Sequence, residues 1–131
     1  MSDAHVQSCI EALEKVARAI RKLEGEAAHA LYTDNNKAGY VAKLHEKTKM
    51  LIGLPELVAE MVATMPLPLQ RFLKDRLGGM AFSAEKAMRL DSIFYMSALL
   101  YPEEYRDGDL NDLENLIGWL SEGNEQMTAR G

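Results

Sequence analysis

The side chains with most scope for chemistry fall in the segment GEAAHALYTDNN, Gly25 to Asn36. Glu26 and His29 stand three residues apart, the Glu-x-x-His spacing by which di-iron bundles hold metal between facing helices. Such a site needs both side chains aimed into the core, with matching carboxylates on other helices. The apolar residues around the pair settle its direction. Val6, Cys9, Leu13, Val16, Ile20, Leu23, Ala27 and Ala30 are spaced alternately by three and four, the a and d positions of a heptad. Glu26 then falls at g and His29 at c, so His29 points outward. The chain holds no second Glu-x-x-His, and His45 falls opposite Lys22, away from His29. A metal-binding bundle using Glu26 and His29 is therefore an alternative reading, and no metal or other cofactor is assigned.

An outward histidine on a helix suits a different chemistry. Ala28, His29, Leu31 and, ten residues after the histidine, Gly39 partly resemble the phosphotransfer domains that carry an exposed histidine on a four-helix bundle. The resemblance covers about a dozen residues and implies His29 as the phosphoryl acceptor. It departs from the family at Tyr32 and Thr33, where those domains place Lys, which favours the phosphate, and Gly, which leaves room for a partner. DGDLND, Asp107 to Asp112, begins like a calcium loop, but the position that needs Gly holds Asp112 and the one that needs Glu holds Gly118. Those acids read better as a loop entering a capped helix. There is no Gly-rich phosphate loop and no nucleophile elbow. Asp91, amid apolar residues, is the one acid placed for burial with a shifted pKa, and pairing with Arg89, or with Arg71 or Arg76, is the commoner outcome. A single cysteine, Cys9, excludes an intrachain disulfide and reads as a small core residue. No catalytic residue is assigned, and the reading leans away from an enzyme.

The elements that carry these residues are all helical, because strict alternation never persists and β-branched residues are few. A first helix is expected from Ala4 to Tyr32, then a turn at Thr33 to Asn36 rich in capping residues. The next stripe runs Val41, Leu44, Thr48, Leu51, Pro55, Val58, Val62, Met65, again alternating three and four. Folding the chain at Asn35 brings Ala27 opposite Val41, Leu23 opposite Leu44, Ile20 opposite Thr48, Val16 opposite Leu51 and Cys9 opposite Val58. The result is an all-α up-and-down bundle, a single domain over 1–131, built on an antiparallel hairpin of about residues 4–66. Pro55 must kink or break the second arm. Three shorter helices are expected beyond it: Leu69 to Leu77, stopped by Gly78-Gly79; Ala84 to Tyr101, capped by Ser83 and central; and one capped by Asp109 and stopped by Gly123, with a frayed tail. The later helices are expected at the Val6–Val16 end, which leaves the turn end as a prong or covered by a second chain.

Hydrophobic residues make up 47% of 131 residues, enough for a core. The sequence shows no signal peptide and no membrane-spanning run, and the expectation is a cytoplasmic protein without nucleic-acid or membrane partners. Charge is uneven: residues 18–49 carry a net +3 and 103–125 a net −7, consistent with solvated helix faces or with contact between the two regions. Met50, Met61, Met65, Met80, Met88 and Met96 gather in the middle of the chain with Phe72 and Phe82. Flexible methionine side chains suit varied apolar partners. Met61, Met65, Phe72 and Met80 are therefore the candidate partner-binding residues, near the Pro66–Pro68 break. The long hairpin is similar in shape and size to small export chaperones, flagellar ones included. Together these readings point to an adaptor or chaperone-like protein, expected to form a homodimer.

Overall fold

The apolar stripe of the first arm and that of the second bury each other, and the remaining helices assemble around this hairpin. The computed structural model describes the backbone of residues 2–130 and the side chains of residues 4–123. Helix α1 spans Ser2–Tyr32, and Val6, Cys9, Leu13, Val16, Ile20 and Ala27 are all buried along it, with Ile10 and Ala17 widening the stripe. Asn35 takes a left-handed conformation in the turn. Asn36 caps α2 (Lys37–Ile52), its Oδ1 accepting the Gly39 N–H at 3.0 Å. A Cβ on Gly39 would lie 2.5 Å from the Asn36 side chain, so the cap needs glycine there. Interhelical pairs Glu26–Lys43, at 3.4 Å, and Glu24–Lys47, at 2.9 Å, lace the two arms antiparallel.

Pro55 breaks the second arm rather than kinking it. Helix α2 ends at Gly53, α3 (Leu54–Leu57) takes Pro55 in its first turn, and α4 (Ala59–Ala63) follows. A proline N is tolerated there because first-turn N–H groups have no intrahelical acceptor. At the break Leu54, fully buried, takes the core place expected for Pro55, which is only half-buried, while Val58, Val62 and Met65 beyond it stay on the buried stripe. Gln70 closes the next corner, its Nε2 donating to the carbonyls of Ala63 and Met65 at 3.0 and 2.9 Å.

The expected stop at Gly78-Gly79 does not occur. Helix α5 runs unbroken from Leu67 to Arg89, with Leu73, Leu77, Ala81, Ala84 and Ala87 as one buried stripe across both glycines. Each glycine costs about 1 kcal/mol in a helix interior, less than burial of that stripe returns. Ser83 consequently lies inside α5 and caps nothing. The chain breaks at Asp91, left-handed with φ 49°, and Ser92 caps α6 (Ile93–Ala98) by accepting the Tyr95 N–H. The expected central helix ending at Tyr101 is thus two separate pieces. Phe94 is 75% exposed, and Asp91 faces solvent beside His45, 3.6 Å from its Nε2, neither buried nor paired with Arg89, Arg71 or Arg76. The last helix, α7 (Asp112–Arg130), is capped by Asn111 rather than Asp109, which accepts the Arg106 N–H in the preceding turn. It continues past Gly123; the side chains of the tail expected to fray lie outside the described residues.

Helix α7 packs on α1, α1 on α2, and α2 on α5 and α6. Leu113, Leu116, Ile117 and Leu120 of α7 complete the core. The sequence α7–α1–α2–α5 forms three sides of a four-helix ring, and α5 and α7 scarcely approach each other. Among the described residues there is no strand, and no helix is long and apolar enough to cross a membrane.

Candidate interaction site

Two places gather polar or aromatic side chains, and they differ in whether those side chains are already partnered. The first lies midway along the hairpin. Lys47 is fully buried, three residues after Leu44 and four before Leu51 on the inward side of α2. Its Nζ donates to Glu24 Oε2 at 2.9 Å and to the Ser97 carbonyl at 3.3 Å, and sits 5.1 Å from the Tyr101 ring centroid. Glu24 Oε1 accepts the Tyr101 hydroxyl at 2.5 Å. Arg21 joins α1 to α7 through a bidentate pair with Glu114, Nε to Oε2 at 3.0 Å and Nη2 to Oε1 at 2.7 Å. It also donates to Tyr101, Tyr105 and the Asp109 carbonyl. Asn111 and Glu114 close a capping box, each accepting the other's backbone N–H at 2.9 Å.

The electrostatics of this cluster follow from its pairing. Burial pushes the Lys47 ammonium below its usual range, opposed by Glu24. The Arg21 hydrogen bonds hold the Glu114 carboxyl low, and burial with the Glu24 hydrogen bond pushes the Tyr101 hydroxyl up. Two cations meet two carboxylates, and the donors of Lys47 and Arg21 are engaged within the protein. The cluster is a clamp that fixes the loop after α6 and the start of α7 to the hairpin. An open hollow of about 510 Å³ lies over it, bordered by Tyr32, Tyr40, Tyr101 and Tyr105.

The second place is the open side of the ring. A cleft of about 650 Å³ separates α5 from α7, lined on one wall by Phe72, Asp75, Arg76, Gly79, Met80 and Ser83. The other wall is Asp112, Asn115, Leu116 and Trp119. Phe72 and Trp119 bridge one end with ring centroids 4.3 Å apart, and the Arg76 guanidinium lies 5.1 Å from the Phe72 centroid. Trp119 stays 50% exposed despite that contact. The stretch from Phe72 to Ser83 gives the cleft a length of about 16 Å. Asp112, at its far end, is pushed above the usual carboxylate range by burial and by Glu104.

The residues singled out in the sequence are distributed between these places and elsewhere. Phe72 and Met80 line the cleft, Met61 is half-buried against the core, and Met65 is a core residue. His29 is exposed, its Nδ1 3.3 Å from Asp34 Oδ2, while Glu26 pairs with Lys43. No group of three or more metal-ligating side chains occurs among the described residues. Cys9 is fully buried, its thiol pushed up to about 11 by desolvation. Sequence reasoning missed Lys47 and Trp119 as site residues. The signal for Lys47 was its place three after Leu44 and four before Leu51; for Trp119 there was none, because its wall depends on where α5 lies. Compared with known proteins, the chain matches no family model, no curated protein and no solved structure.

Proposed function

We infer that the protein is a non-catalytic interaction domain, adaptor- or chaperone-like, that receives an apolar-faced helix of a partner protein in the seam between α5 and α7. The observation that carries this reading is the missing side of the helix ring, an open cleft walled by Phe72, Met80, Leu116 and Trp119. A helix laid in a groove between two helices buries its own apolar stripe and completes the bundle. Met80 can change rotamer to fit different partner side chains. Trp119 is the only tryptophan in the chain, so its emission reports directly on occupancy.

The test is a fluorescence titration with a synthetic amphipathic Leu–Gln helix about four turns long. Binding in the seam shifts Trp119 emission to the blue and saturates. Gly79→Phe fills the cleft, where an added Cβ meets nothing within 4 Å, and abolishes the shift while leaving the helical circular dichroism intact. Unchanged Trp119 emission on titration of the monomer refutes the reading. Light scattering covers the homodimer expectation: a dimer that Gly79→Phe converts to monomer identifies a second copy as the occupant.

A second reading, phosphotransfer through His29, is favoured by one observation: the imidazole is 63% exposed and its Nδ1 lies 3.3 Å from Asp34 Oδ2, so a proton held on Nδ1 leaves the lone pair on Nε2 as the acceptor. Incubation with phosphoramidate tests it. Formation of an acid-labile phosphohistidine, absent in His29→Gln, supports it, and no phosphorus signal on the protein rules it out.

A further inference from the structure

The walls of the α5–α7 seam differ in chemistry, and the difference specifies a partner. Side chains along the α7 wall follow a helical row, Asp112, Asn115, Trp119 and, one turn on, Glu122. That row holds two carboxylates and no cation. On the α5 wall, Asp75 stands beside Arg76, whose guanidinium is turned over the Phe72 ring. At the Asp112 end Glu104 adds negative charge, and Lys86, which borders a neighbouring hollow with Asp112, adds positive charge from α5. The seam is therefore apolar and aromatic along its floor and acidic along one edge, within a segment, 103–125, of net charge −7.

We propose that the partner helix held in this seam is a basic amphipathic one, its apolar stripe on Trp119, Met80 and Leu116 and its Lys or Arg residues facing Asp112 and Glu122. The proposal rests on the interaction reading above and adds the partner's charge pattern to it. Charge complementarity supports this choice over an acidic or neutral helix. An acidic helix in the seam would bring like charges together at both carboxylates of the α7 wall, a mismatch that costs specificity and on-rate. Asp112 is exposed at the end of the seam, where an incoming cation can meet it.

The experiment uses the full chain and three synthetic peptides of equal length with the same leucine stripe, their polar faces built from Lys, Gln or Glu. Trp119 emission and calorimetry give each Kd. The Leu–Lys peptide is expected to bind tightest, and Asp112→Asn with Glu122→Gln to weaken it about ten-fold, on the order of five-fold or less for each half-exposed pair. The same substitutions leave the Leu–Gln peptide unchanged. Glu56→Gln with Glu60→Gln removes equal charge from α3 and α4, outside the seam, and is expected to leave all three affinities alone. The denaturation midpoint of Asp112→Asn should be no lower than that of the unsubstituted protein, which separates a lost contact from a lost fold.

Each outcome has one meaning. Equal affinity for the three peptides, or preference for Leu–Glu, overturns the basic-partner proposal while the seam remains a helix site. Equal weakening by the Glu56/Glu60 variant reduces the preference to net charge and overturns it too. If none of the three peptides moves Trp119 emission, the interaction reading falls and the proposal with it.

Discussion

Removing Lys47 alone should be far worse than removing Lys47 together with the charge on its partner. In Lys47→Met the Glu24 carboxylate loses the Nζ at 2.9 Å and keeps the Tyr101 hydroxyl. Its side chain is only 18% exposed, so water restores little of the lost solvation. Breaking one side of a buried pair costs about 3–5 kcal/mol. The residual exposure of Glu24 and its remaining hydrogen bond put this case at the low end, about 3 kcal/mol. For a chain of this length that lowers the melting temperature by about 10 °C. Lys47→Met with Glu24→Gln removes both charges, and glutamine still accepts from Tyr101, so the double variant should lie within about 1 kcal/mol of the parent. The coupling energy in a double-mutant cycle is then about 2 kcal/mol or more, read from urea denaturation. Additive effects, with the double variant as damaged as the sum of the singles, would refute the reasoning. The cycle has a pH signature as well. In Glu24→Gln the buried ammonium keeps its desolvation and loses its counter-ion, which depresses its folded-state pKa further. The unfolded chain then binds more protons between that value and the ordinary lysine value of about 10.4, and stability rises with pH across the window.

Gly78→Ala and Gly79→Ala should each stabilise the protein by about 0.5–1 kcal/mol, because α5 passes through both positions and an added Cβ meets nothing within 4 Å; destabilisation by either would mean the helix stops there. Glu114 is held low by Arg21, so its contribution is present above the unfolded glutamate value of about 4.3 and is lost as pH falls through the depressed folded value. Glu114→Gln should flatten the acid limb of the stability–pH curve, and an unchanged limb would dismiss this pair as the source. Cys9 should resist a thiol reagent in native protein and react fully in denaturant, since its thiol is both buried and raised to about 11; rapid native labelling would contradict its place in the core.

What the sequence by itself determined was the hairpin. Alternate three- and four-residue spacing on both sides of Asn35 leaves two long apolar stripes that can be buried only against each other, and Cys9, Ile20 and Leu44 lie where that requires. The charge asymmetry left solvated faces and contact between the basic and acidic regions both open, and Arg21–Glu114 realises the contact. Periodicity tells which face of a helix is covered but not what covers it, and several features turned on that second question. Helix α5 continues through Gly78-Gly79 because it packs on α2 and because Leu77 before the glycines and Ala84 after them both join the core, a gain that a local propensity cannot register. Lys47 is buried because Glu24, Ser97 and Tyr101 converge on it from three separate elements. The α5–α7 seam exists only as the distance between two helices that each pack on a different arm of the hairpin. Its residues, Phe72, Met80, Asp112 and Trp119, become one surface through that separation, which tertiary packing alone decides.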